Sequence, residues 1–142
     1  MLTDPLEVAL VEKTVAAIQS QPFAAVTPNT SIADAVSKLA DLEIGCLLVA
    51  ENGKLVGVFS HRDVLDKVAD RYEQIKDRPG SEVTSSNPVI VHESDSAAAA
   101  LHVMAVSGFR HVPVMNLNDE PVGIVSPQRV LGFLQEHFQA AK

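Results

Sequence analysis

Residues 30–65 of this chain recur, element by element, as residues 96–131, and that duplication restricts the available folds more than any other feature of the sequence. In the first copy Ile32, Ala35, Val36, Leu39 and Leu42 fall at helical spacing, with Ser31 and Asp34 as a capping-box start and Gly45 as a stop. The helix leads into an apolar strand over residues 46–50, a turn over 51–54 and a second strand over 55–59. Asn52-Gly53 in that turn is a strong short-range signal for a tight hairpin. Ser60 then opens a second helix marked by Val64, Leu65, Val68, Tyr72 and Ile75.

The second copy keeps this order. Ala97, Leu101, Met104 and Ala105 lie on its first helix, Gly108 stops it, and strands are expected over 111–115 and 121–125. Ser126-Pro127, an N-cap followed by proline at the first helical position, opens a last helix carrying Val130, Leu131, Leu134 and Phe138. The turn over 116–120 holds one extra residue, so the copies stand 65 residues apart before the hairpin and 66 after it. A strand ahead of each copy, over 23–26 and 89–91, completes a strand-helix-strand-strand-helix unit. Three short strands with helices on one face leave an apolar side exposed, and the other copy, related by a pseudo-twofold axis, is its natural cover. The expected fold is therefore α+β, with two repeats packed in pseudo-twofold symmetry. Asp4-Pro5 and Glu7 start an N-terminal helix outside the repeat, running to about residue 19. The expected divisions are an N-terminal helix (1–13), repeat 1 (14–75), a linker carrying Pro79-Gly80 (76–82) and repeat 2 (83–142).

A chain of 142 residues with 46% apolar content buries enough surface to hold a core without disulfide or metal. Its single cysteine, Cys46, sits in an apolar run and reads as a small buried hydrophobe. Eleven Lys and Arg against 18 Asp and Glu give a net charge of −7, which disfavours broad nucleic-acid binding or attachment to an anionic membrane. With neither a leader-like N-terminus nor a long apolar run, the expected location is cytoplasmic. The five histidines lack metal-ligand spacing, so no metal site is expected. Ser60, His61 and Asp63 contain the residue types of a hydrolase triad, but adjacent side chains on a helix diverge by about 100° and cannot bond in series, so no enzyme is expected.

Arg110-His111-Val112-Pro113-Val114 after a helix that ends in glycine, and Leu-Val-Gly-Val-Phe-Ser-His-Arg-Asp over 55–63, resemble the CBS domain, named after cystathionine beta-synthase. The two copies together resemble a tandem CBS pair, or Bateman module, over residues 14–138. The resemblance implies a regulatory module that binds an adenosine-containing ligand (AMP, ADP, ATP or S-adenosylmethionine) in a cleft between repeats, often as a disc-like dimer. The family's Gly-x-x-Ser/Thr-x-x-Asp motif falls on Gly57, Ser60 and Asp63. By that resemblance Asp63 holds the ribose hydroxyls and Ser60 with the helix amides favours a phosphate. Arg110 and His111, in the corner at 109–113, supply cations; Val58, Pro88, Val89 and Ile90 flank the base; and Gly57 lets the ligand approach the strand closely. Read without the family, Ser60 and Asp63 form a capping box and nothing more.

The pseudo-symmetric positions are Gly123, Ser126 and Arg129, facing a corner at 43–47 that has no cation, so this second cleft is expected to bind no nucleotide through a ribose-chelating carboxylate. The expected function is a stand-alone sensor, signalling through an unidentified effector protein or a homodimer. The alternative is a ligand-free interaction or dimerisation module.

Overall fold

A computed structural model describes residues 5–20, 23–86, 88–108 and 110–140. Asp4 at the expected helix start and Phe109 in the expected cation corner lie outside the described residues. The chain forms two compact units, one from residues 23–88 and the other from 1–22 with 89–142.

In the first unit, β2 (Ala25–Val26) runs parallel to β3 (Cys46–Glu51), which pairs antiparallel with β4 (Lys54–Ser60), which pairs antiparallel with β5 (Ser85–Ser86). The other unit repeats the order: β6 (Val91–His92) parallel to β7 (Val112–Met115), then β8 (Pro121–Val125) antiparallel, then β1 (Gln19–Ser20) antiparallel at the edge. Each sheet thus has four strands where three were expected. The fourth is exchanged: β5 precedes repeat 2 in sequence but pairs with repeat 1, and β1 precedes repeat 1 but pairs with repeat 2. Two-residue segments carry no periodic signal, so these strands are formed by the edge they pair with rather than by their own sequence.

The exchange extends to the segments before those strands. Val15 N–H donates to the Asp95 carbonyl at 2.8 Å, and its counterpart 65 residues on, Gly80 N–H, donates to the Thr30 carbonyl at 2.7 Å. Ala97 N–H to Lys13 (2.8 Å) and Ile32 N–H to Arg78 (3.0 Å) form a second matched pair. The N-terminal helix is consequently part of the duplication. α1 (Pro5–Glu12) ends well before residue 19, gives way to a 3-10 turn over Val15–Ala17 and β1, and places Ala9, Val15 and Ile18 in its unit's core. In the other core Val83 is the counterpart of Ile18, and Ile75 that of Leu10, which packs against the first.

Helix α2 (Ile32–Leu42) starts as expected, with the Ser31 hydroxyl accepting from Asp34 N–H at 3.1 Å. It ends at Glu43, in the left-handed region at φ 52°, two residues ahead of the expected glycine stop at Gly45. In the second copy α5 (Ala97–Ser107) does end on Gly108, at φ 77°. The β3–β4 hairpin turns at Asn52 (φ 55°) and Gly53 (φ 78°), the two positive angles that a tight two-residue turn of matching twist requires. A bulge at Val49/Ala50 recurs at Val114/Met115, so the duplication keeps even this irregularity.

Beyond β4 the expected regular helix is a run of changing pitch: α3 (His61–Asp63), a wide turn over Val64–Val68, a tight one over Ala69–Arg71, then α4 (Tyr72–Ile75). Val68 and Ile75 enter the core of Ile32, Leu39, Leu47 and Phe59, but Leu65, expected on the apolar face, is 73% exposed. In the other unit α6 (Pro127–Ala140) likewise leaves Leu131 exposed while Phe133 is buried. Among the described residues no helix is long and apolar enough to cross a membrane.

Candidate functional site

Strand β4 delivers Ser60 to the end of the sheet, and the helical run begins there because Ser60 caps it. The Ser60 N–H donates to Asp63 Oδ2 at 2.9 Å and the Ser60 hydroxyl to the same oxygen at 3.2 Å, while Asp63 N–H faces Ser60 Oγ at 3.5 Å. This is the reciprocal capping box. The other carboxylate oxygen, Oδ1, accepts from the Ser85 hydroxyl at 2.8 Å and pairs with Lys67 Nζ at 2.9 Å. Asp63 is 5% exposed, the buried charged residue among those described, and a carboxylate removed from water to that degree requires such partners.

Lys67 was not singled out in the sequence, although its i+4 spacing from Asp63 is a legible signal for an ion pair on a helix. Its ammonium also reaches the Val83 carbonyl at 3.3 Å and the Ser85 hydroxyl at 3.5 Å. Ser85 had no such signal, because it meets Asp63 only through the pairing of β5 with β4, where Val58 stands opposite Ser85 and Gly57 opposite Ser86.

That pairing also changes the reading of Gly57. The space beside it, expected to admit a ligand, is taken by the chain's own linker, which in the structure continues past residue 82 through β5: a Cβ added there would lie 2.5 Å from Thr84 Cγ2 and 2.7 Å from the Ser85 carbonyl oxygen. Glycine is required here for the close approach of two backbones.

Cys46, at the start of β3 and opposite Ser60, is buried. Burial, with a smaller contribution from the Asp63 charge, pushes its thiol from 9.0 up to about 12, so it is neutral and a poor nucleophile.

The expected site residues are divided between the units. Val58, Ser60 and Asp63 come together in the unit of residues 23–88, Val58 buried in β4 and Ser60 bonded to Asp63; Pro88 is the last residue of this unit, half-buried and outside any strand. Val89 and Ile90, half-buried ahead of β6, belong to the other unit, as do Arg110, exposed, and His111, half-buried just before β7. In that unit Ser126 also caps its helix, with Arg129 N–H 3.4 Å from Ser126 Oγ, but the Arg129 side chain is exposed and carries the opposite charge to Asp63. Among the described residues no group of His, Cys, Asp and Glu is arranged to hold a metal ion.

The CBS domain family model matches residues 15–70 and again residues 81–136. A CBS domain-containing protein of Arabidopsis thaliana, CBSCBSPB1, is 27% identical over 128 residues, covering 89% of this chain and 23% of that protein. The chain thus spans less than a quarter of the length of the curated Arabidopsis relatives it matches. A CBS domain protein from Pyrobaculum aerophilum, solved in complex with AMP, is 26% identical with a TM-score of 0.77, covering 89% of this chain and 98% of that one. A CBS domain pair solved with 5′-methylthioadenosine and S-adenosyl-L-methionine shares the fold at a TM-score of 0.76 and 24% identity, over 86% of this chain and 99% of that one.

Proposed function

The chain belongs to the CBS domain family, as a tandem pair, and from that premise we propose that it is a regulatory module that binds an adenosine-containing ligand, AMP, ADP or ATP ahead of S-adenosylmethionine. The observation that carries this reading is Asp63: a buried carboxylate, oriented by Ser60 at the start of a helical run, in a chain whose AMP-bound relative matches it along nearly its whole length. Asp63 holds the ribose hydroxyls, since a carboxylate accepts from two vicinal O–H groups at once. Ser60, Arg110 and His111 hold phosphate, and Val58, Pro88, Val89 and Ile90 flank the base. One ligand binds per chain, because repeat 2 has Arg129 where a ribose acceptor is needed. The chain acts in the cytoplasm as a homodimer, passes its bound state to an effector protein, and catalyses no reaction itself.

The test is calorimetric titration with AMP, ADP, ATP and S-adenosylmethionine, for the wild type and for Asp63→Asn, which retains an acceptor for the Ser60 amide. Ligand at 100 times its Kd adds about 2.7 kcal/mol, roughly 5–10 °C in melting temperature. The reading predicts binding in the wild type that is lost in the variant while both fold. His111→Gln is expected to weaken AMP binding; unchanged affinity removes His111 from the site.

One observation favours a second reading, a ligand-free interaction or dimerisation module: Asp63 is satisfied by groups of its own unit. Absence of binding by all four ligands, with a dimer retained, establishes that reading instead.

A further inference from the structure

The Asp63 oxygen left over by the capping box is held by Lys67 and Ser85, and both contacts lead to the linker. Lys67 Nζ lies 2.9 Å from Oδ1, 3.3 Å from the Val83 carbonyl and 3.5 Å from Ser85 Oγ, and Ser85 Oγ lies 2.8 Å from Oδ1. The Lys67 side chain is 39% exposed, so its ammonium gains water if it leaves, whereas the Asp63 side chain, 6% exposed, is held in place by the Ser60 amide and hydroxyl. The pair is also a unit within the duplication. At the pseudo-symmetric positions Asp63 and Lys67 are replaced together, by Arg129 and by Phe133, which is buried at 3% exposure in its own core.

We propose that Lys67 is a positioning residue that competes with the ligand's ribose for Asp63 Oδ1, so that nucleotide occupancy releases Lys67 from the linker and loosens β5 from the edge of β4. This rests on the reading of Asp63 as the ribose acceptor and adds a regulatory consequence to it. Strand β5 is suited to report occupancy. It is two residues long, and beyond its pairing with Gly57 and Val58 it is tied to the helical run through Ser85 and Lys67. Breaking these contacts sacrifices few others, as a segment drawn from the low-stability end of a fold requires. The coupling is reciprocal: whatever holds β5 against β4 weakens the ligand, and the ligand weakens β5.

The test compares adenosine and AMP binding to the wild type, Lys67→Met and Lys67→Arg, with amide exchange at Ser85 and Ser86 read in parallel. Competition for the ribose oxygen predicts that Lys67→Met tightens adenosine and AMP alike, by roughly two- to fivefold, the worth of a half-exposed ion pair. Lys67→Arg stays near the wild type. Exchange at Ser85 and Ser86 rises when AMP binds the wild type, and is already raised in Lys67→Met without ligand. Equal affinities in all three proteins overturn the proposal and leave the nucleotide site standing. Weaker AMP binding by Lys67→Met with adenosine unchanged also overturns it, since Lys67 would then be a phosphate contact. If no folded variant binds either ligand, the nucleotide reading itself fails and the proposal with it; a ligand that binds without altering exchange at Ser85 and Ser86 overturns the reporter role.

Discussion

The two repeats share a strand order, an exchanged edge strand, a hairpin bulge and a serine cap on the helix after the hairpin, yet they differ in what stands three and seven residues beyond that serine. Repeat 1 has Asp63 and Lys67, an ion pair at the buried end of a helix; repeat 2 has an exposed Arg129 and a core-filling Phe133. The fold tolerates both solutions because the cap, not the charge, starts the helix: Ser60 and Ser126 each meet the amide three residues on. The charge in repeat 1 is therefore surplus to what the architecture requires, and it sits beside the linker. A buried carboxylate supported by a lysine and a serine costs solvation that Phe133 avoids in its own repeat. That expense, confined to one of two otherwise matched repeats, is why repeat 1 is the place to look for ligand chemistry.

The contrast can be broken most forcefully at Asp63. Asp63→Ala removes the reciprocal cap and the ion pair to Lys67, and is expected to cost about 1–3 kcal/mol in urea unfolding. Arg129→Ala, at an exposed position, is expected to cost less than about 1 kcal/mol. Equal costs would mean that the two helix starts are energetically alike and that the buried charge is not the distinguishing feature.

Next in size is Gly57→Ala, whose new methyl would meet Thr84 and the Ser85 carbonyl; a loss of about 1–3 kcal/mol is expected, with faster proteolysis in the 80–86 linker. Unchanged stability would show that β5 yields at no cost, and with it the account of Gly57 as a backbone-approach glycine.

A third difference lies at the entry to β3 and β7, where Cys46 and His111 are counterparts. The Cys46 thiol is raised in the fold from 9.0 to about 12, so above pH 9 the unfolded chain loses a proton that the folded chain keeps. Stability contributed by this group is whole below about pH 9 and is lost as pH climbs toward 12, a loss of order 1 kcal/mol by pH 10. Cys46→Ala should remove that alkaline slope; a slope that persists assigns it to other groups.

The smallest effect is expected at the helix stops. Glu43 occupies at φ 52° the left-handed position that Gly108 fills at φ 77°. Glu43→Gly should stabilise the chain by about 0.5–1 kcal/mol and Gly108→Ala destabilise it by a similar amount. A melting-temperature change of the same sign in both variants would contradict this.

Much of the fold was legible because its signals are local. Helical spacing in α2, Asn52-Gly53 at the hairpin, and the serine caps at Ser31, Ser60 and Ser126 each act within a few residues. Leu65 was misjudged for a related reason: periodicity assumed a regular helix, and the wide turn over 64–68 turns that side chain to solvent. Gly45 was misjudged because glycine is the commonest stop but not a necessary one, and Glu43 accepts the left-handed angle instead. At the candidate site the Ser60–Asp63 bond was legible at three-residue spacing, and Lys67 would have been at four. Ser85, 22 residues away, was not.

The sequence by itself determined the duplication, the α+β class, the strand-helix-strand-strand-helix order within each repeat and the asymmetry between Asp63 and Arg129, all of which follow from residue type and short-range spacing. Only the tertiary structure decided that the edge strands are exchanged, that the N-terminal helix belongs to the duplication, and that Asp63 is shared between its cap, Lys67 and the linker. These depend on backbone groups far apart in sequence finding one another. A two-residue strand such as β1 or β5 has too little pattern of its own to reveal its partner, and acquires its structure from the unpaired edge that it satisfies.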